Sequence, residues 1–198
     1  MVNPVSHTTS APLNNPVLTG AKYCLMVVLG VAVITASAKT TVPFWPIPMT
    51  LQTMAIMAIA VATGPRIAVA TMLAYLAVGA AGLPVFAGTP ERGIGIVYMM
   101  GPTGGYLAGY LIAAGFVGAL ARGRGAFGRF AVMMAGMVPV YLLGLAGLSG
   151  FVASEKVVAL GFTPFILGDT IKIALVAFGG AAITRLTKRK PSNRADAA

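Results

Sequence analysis

The chain has 198 residues, 58% of them hydrophobic and only 9% charged, with a mean hydropathy of +0.88. A water-soluble domain carries about a quarter of its residues as Asp, Glu, Lys or Arg, so this composition excludes one and puts the chain in a membrane. The formal charge of +10 does not make it a nucleic-acid binder, because the basic residues cluster at the ends of hydrophobic segments, where they orient a membrane protein.

Residues 1–19 are rich in Pro, Asn, Ser and Thr and read as a flexible tail. The single histidine, His7, falls there, which leaves metal binding and histidine-based catalysis without ligands. Gly20–Ala38 is the first predicted span. It contains the only cysteine, Cys24, so no intrachain disulfide can form. Ala32 and Ala36, with Ala38 beyond them, make a face of small residues against which another helix can pack closely, either within the bundle or from a partner protein. Ala36-Ser37-Ala38 also has the form of a signal-peptidase site, but the segment is long enough to span and the tail lacks a basic n-region.

Thr40–Pro48 carries Pro43, Pro46 and Pro48 and is not helical throughout. Its stiffness suggests a cover over a neighbouring site. Trp45 within it is either an interfacial anchor or an apolar wall. The second span, Pro48–Thr63, is short, roughly 24 Å at ~1.5 Å per residue. After the turn Gly64-Pro65-Arg66, a third span runs from Ile67 to Leu83. Pro84–Gly101 is the longest connection and carries Glu91 and Arg92. Pro102–Ala121 is the fourth span. Gly105 and Gly109 in it form a GxxxG that permits close helix approach, and glycines at its start expose N–H groups to a ligand. Tyr98, Tyr106 and Tyr110 can anchor at an interface or wall a pocket. Gly123–Gly128 spells GxGxxG, but no strand precedes it, so it reads as a basic loop. Phe130–Val152 is the fifth span, Thr163–Thr187 the sixth, and Lys188–Ala198 a basic tail.

The expectation is therefore an all-α polytopic membrane protein: a tail (1–19), a six-helix domain (20–187) and a C-terminal tail (188–198). With both termini cytoplasmic, the inner regions hold Lys22, Arg66, Arg122, Arg124, Arg129, Arg185, Lys188, Arg189, Lys190 and Arg194. Lys39, Arg92 and Lys156 lie outside, as the positive-inside rule requires.

Asp169 and Lys172 are an acid and a base inside the apolar sixth span. Their i, i+3 spacing puts them on one helix face. Each charge costs roughly 2.5–3.5 kcal/mol at bilayer depth, so such residues usually face a protein interior and serve a site. The alternative is a pair that neutralises itself near the helix end. No GxxxxGK[ST], HExxH or GxSxG is present, so the chain has no P-loop of its own and no hydrolase motif, and we expect a binding protein rather than an enzyme, with no metal and no cofactor.

Five ordered stretches resemble the BioY family, the biotin-specific S components of energy-coupling factor (ECF) transporters. They are Val42–Thr53 (VPFWPIPMTLQT), Gly64-Pro65-Arg66, Gly79–Gly88 (GAAGLPVFAG), Gly101–Tyr106 (GPTGGY) and Gly168–Lys172 (GDTIK). The resemblance covers about Ala32 to Lys172. It implies a six-helix protein of the prokaryotic cytoplasmic membrane that captures biotin from outside with high affinity. It also implies partners, a transmembrane coupling protein and two ATPase subunits that hydrolyse ATP to drive release inward. Asp169 and Lys172 then line the biotin site, and Ala32 and Ala36 dock on the coupling protein. Biotin's ureido ring has two N–H donors and one carbonyl. Asp169 suits the donors, and Lys172 suits the carbonyl or the valerate carboxylate, at about 1.5–3 kcal/mol per charge-assisted bond. The family also uses an asparagine and an arginine from the third span and its following loop. This stretch has no asparagine, and Arg92 is the only arginine candidate. Tyr106 and Trp45 are candidate pocket walls. An S component for another vitamin, or a small secondary transporter, is the alternative.

Overall fold

The structure, a computed structural model, describes residues 16–43 and 49–188, with side chains for 20–43 and 49–180. The two tails beyond 16 and 188, and Trp45 with its neighbours at 44–48, lie outside the described residues.

Helix α1 (Pro16–Lys39) starts four residues earlier than the expected span, inside the segment read as tail. Two short strands follow, β1 (Thr41–Val42) and β2 (Met49–Thr50), paired antiparallel with Thr41 opposite Thr50 and Val42 opposite Met49. The Leu51 N–H then donates to the carbonyls of Ser37 and Thr40 (3.1 and 3.2 Å), which ties the hairpin to the end of α1. Helix α2 (Gln52–Thr63) therefore begins four residues later than the sequence suggested. Pro46 and Pro48 have no N–H to donate, and Met49 and Thr50 are held in the hairpin. Gly64 turns the chain with φ 80° into α3 (Pro65–Ala80), whose proline sits in the first turn, where a missing N–H costs little.

The long connection contains α4 (Gly95–Met99). After it come α5 (Gly104–Leu120), α6 (Ala126–Leu148), a 3₁₀ turn at Ser154–Lys156, α7 (Val157–Gly161) and α8 (Thr163–Lys188). Among the described residues, three stretches are long and apolar enough to cross a bilayer: Gly20–Lys39, Ala126–Leu148 and Ser154–Gly180. Helices α2, α3 and α5 are apolar but shorter. The 12 residues of α2 rise only ~18 Å.

Small residues set the packing. On α6 the buried stripe is Val132, Met133, Gly136, Met137, Val140, Tyr141 and Gly144, recurring every three or four positions. Helix α5 lies along it because Gly105 and Gly109 have no side chains: a Cβ on Gly109 would meet the Val140 Cα and the Pro139 carbonyl, and one on Gly105 the Leu143 carbonyl. The GxxxG expectation is thus met, with α6 as its partner. On the other flank Gly30 of α1 makes room for the Thr71 side chain of α3.

The 81–94 connection is plugged into the bundle by Phe86, which is fully buried. Its ring meets Tyr75 edge-on at 5.3 Å and stacks on Tyr98 at 4.9 Å, in space that a side chain at Gly79 would occupy. Its carbonyls are tied in turn. Tyr75 donates to Val85 (3.0 Å), Thr89 to Phe86 (2.7 Å) and Tyr98 to Ala87 (2.7 Å). The Lys39 ammonium donates to the Thr89 carbonyl and hydroxyl at 2.6 and 2.7 Å.

Candidate functional site

A cavity of about 290 Å³ opens where the start of α2, the starts of α5 and α8, the end of α6 and the 81–94 connection converge. That is close to the lower end of the ~300–1,000 Å³ seen for small-molecule pockets. Its walls mix apolar groups (Met49, Leu107, Val140, Leu148, Leu160, Phe165) with a few polar ones (Thr53, Arg92, Asp169, Lys172) and three tyrosines besides Tyr141: Tyr98, Tyr106 and Tyr110.

The polar pole is the Asp169–Lys172 pair. Both residues are buried, 5% and 8% exposed, so the pair does not sit at a solvated helix end. The Lys172 Nζ lies 3.0 Å from Asp169 Oδ1, the one ion pair among the described residues. Tyr141 of α6 donates its hydroxyl to the other carboxylate oxygen, Oδ2, at 2.7 Å. Each carboxylate oxygen keeps a further lone pair, and the ammonium keeps donors beyond the one it spends on Asp169. Its second neighbour is the Met49 sulfur at 3.9 Å, a weak acceptor. Gly168 permits this arrangement, since a Cβ there would strike the Met49 Sδ and Cε. The glycine before the aspartate thus leaves the space that the hairpin's methionine fills beside the ion pair.

Thr53 and Tyr110 share a hydrogen bond at 2.8 Å across α2 and α5. Gln52 donates to the Tyr75 hydroxyl at 3.3 Å, joining the start of α2 to the tied loop. Tyr106 lines the cavity, but its hydroxyl is already used. It donates to the Gly161 carbonyl at 2.8 Å, and its ring lies over Gly144, so it braces α5 against α6 and α7. Arg92 also lines the cavity, is exposed, and makes no ion pair with the adjacent Glu91. Trp45 is outside the described residues, as is most of the proline-rich segment expected to cover the site.

Ala32 and Ala36 are both exposed on α1. Ala38 does not extend that face; it is 1% exposed and belongs to the core. Sequence reading missed Tyr141, Gln52 and Thr53 as members of the site. Tyr141 lies in an unbroken apolar run with no motif around it, and Gln52 and Thr53 were noticed only as letters of a signature. The sole available signal was that each is a polar group inside an apolar segment.

Comparison with known proteins identifies the family. Probable biotin transporter BioY of Pyrococcus horikoshii is 36% identical over 154 residues, covering 78% of this chain and 91% of that protein. Biotin transporter BioY of Thermotoga maritima is 34% identical over 157 residues, again 78% and 91%. A crystal structure at 2.1 Å of the S-component for biotin from an ECF-type ABC transporter superposes with a TM-score of 0.66 at 25% identity, covering 91% of this chain and 96% of that one. A family model described as the BioY family matches residues 8–189, and on that match, with these relatives, the chain belongs to the BioY family.

Proposed function

We propose that this chain is the substrate-capturing S component for biotin of an ECF-type transporter, and that the 290 Å³ cavity is its binding site. The observation that carries this reading is the chemistry of the polar pole. A buried carboxylate, neutralised by Lys172 and braced by Tyr141, keeps one lone pair per oxygen for N–H donors. A cyclic urea carries an N–H donor on each side of its carbonyl, Asp169 accepts from the one turned toward it, and the apolar cavity walls suit the fused ring and its alkyl chain. Lys172 then donates to the ureido carbonyl or the valerate carboxylate, and Arg92, exposed on the wall, is the second cation within the same cavity.

In this reading α1, α2, α3, α5, α6 and α8 are the six spans and both termini are cytoplasmic. The distribution of Lys and Arg supports that orientation: Arg66, Arg122, Arg124 and Arg129 fall at one end of the bundle and Lys39, Arg92 and Lys156 at the other. The cavity then opens outward on a prokaryotic cytoplasmic membrane. The partners are a transmembrane coupling protein and two ATPase subunits, since the chain carries no P-loop to power transport itself. The exposed Ala32–Ala36 face of α1 is the docking surface for the coupling protein. The chain binds and hands over its ligand without converting it.

The test is calorimetric titration of the purified protein in nanodiscs with biotin, riboflavin and thiamine, alongside Asp169→Asn. Biotin alone should bind tightly, and the substitution should weaken it. A folded protein that ignores biotin would defeat the proposal, and preference for another vitamin would reassign the substrate.

A further inference from the structure

A second cleft, of about 460 Å³, lies where the end of α2 meets the start of α6 and the second half of α8. It is lined by Ala58, Val61, Ala62, Arg129, Val176 and Gly180. Biotin capture does not use it. Gly180 is ~12 Å of helical rise beyond Lys172, toward the opposite end of the bundle.

Arg129 supplies its chemistry. The Arg129 Nε is buried and has no hydrogen-bond partner. Its neighbours differ: Arg122 donates to the Thr63 carbonyl at 3.2 Å and Arg124 to the Leu120 carbonyl at 2.7 Å. Leaving a buried donor of a charged group unpaired is costly, and no acid among the described residues relieves it. The described carboxylates are Glu91, Glu155 and Asp169. The last is bound to Lys172, and the other two belong to connections near the first cavity. The local field has the same sign as the arginine. Helix α6 has no acidic residue in its first turn and no side-chain cap at Gly125, so its positive end faces the same neighbourhood. A guanidinium presents a planar fork of donors matched to phosphate oxygens.

We propose that this cleft binds a phosphate-bearing anion, supplied by the headgroup of an anionic phospholipid. Arg129 donates to the phosphate oxygens, while Ala58, Val61, Ala62 and Val176 wall the glycerol and first acyl carbons. Basic pockets between membrane helices recognise lipid headgroups in this way. The inference is independent of which solute the first cavity takes.

The test is native mass spectrometry of the full chain released from detergent after titration with phosphatidylglycerol or phosphatidylcholine. A thermal melt with inorganic phosphate runs beside it. Wild type should retain phosphatidylglycerol over phosphatidylcholine, and Arg129→Gln should cut that retention about tenfold, the scale of one charge-assisted bond. Arg124→Gln should leave it unchanged. Ala62→Phe at an exposed position fills the apolar wall without touching the charge, and should also reduce retention if Arg129→Gln does not fold. Arg129-dependent stabilisation by free phosphate, without lipid preference, upholds the anion site and makes its source soluble. Equal retention of phosphatidylglycerol by wild type and Arg129→Gln overturns the proposal. So does an Arg129→Gln protein that keeps the lipid but no longer binds the coupling protein, which makes Arg129 a protein contact.

Discussion

Replacing Tyr141 by Phe removes one oxygen and keeps the ring that packs edge-on against Phe162 at 4.8 Å. What is lost is the 2.7 Å bond to Asp169 Oδ2. Tyr141 is 7% exposed and Asp169 5%, so water does not readily replace the missing donor. A hydrogen bond to a charged group contributes about 1.5–3 kcal/mol. Part of that loss falls on folding, because the bond exists in the empty protein. With about 1.4 kcal/mol per tenfold, the lower figure sets roughly tenfold as the upper limit of weakened biotin binding at that end of the range, carried by a carboxylate free to turn away from the ligand. The assay is calorimetry on wild type, Tyr141→Phe, Asp169→Asn and the double variant. If Tyr141 acts through Asp169, the two effects are not additive, and the cycle leaves a coupling of at least about 1 kcal/mol, whereas independent sites add within ~0.3–0.5 kcal/mol. Additive losses, or a Tyr141→Phe protein that binds like wild type, would refute the role assigned to the tyrosine.

Gly109→Val should destabilise the protein in a detergent melt by about 1–3 kcal/mol or more through overpacking against α6, while Gly179→Ala, with open space around its new Cβ, should not. Lys39→Met frees the Thr89 carbonyl and hydroxyl, and should speed biotin dissociation in stopped-flow measurements because Ala87 and Arg92 of that connection line the cavity. An unchanged off-rate would separate the loop's anchoring from ligand retention. Ala36→Trp should leave biotin binding intact yet abolish co-purification with the coupling protein and ATPases; retained assembly would remove α1 as the docking face.

The order of helices was readable because proline and glycine punctuate the chain, and the ion pair was readable because charge inside an apolar run is conspicuous. Which side of each helix faces inward was far less so. Around α6 the outward residues Val138 and Leu142 are as apolar as the inward Met133 and Val140, so hydrophobic periodicity has nothing to report. The inward face is marked by Gly136 and Gly144, residues that matter for what they leave out. The start of α2 was misjudged for a different reason. Composition cannot say that Leu51 donates backward to α1, and that long-range bond helps decide where the helix begins. Phe86 as a plug was likewise invisible, because a phenylalanine in a connection reads the same whether it points into the bundle or toward lipid.

The ion pair has a bearing on how such a protein is made. Asp169 carries its counter-ion on its own helix, one turn along, so its neutralisation does not wait for any other part of the bundle. Helix α8 can therefore partition into lipid with this pair already neutral, whichever helices stand beside it. Only the Tyr141 hydroxyl, and Met49 over Gly168, must be added from elsewhere. The Asp169 charge thus never enters hydrocarbon without a counter-ion, and the binding pole is completed when α8 docks on α6 and the hairpin.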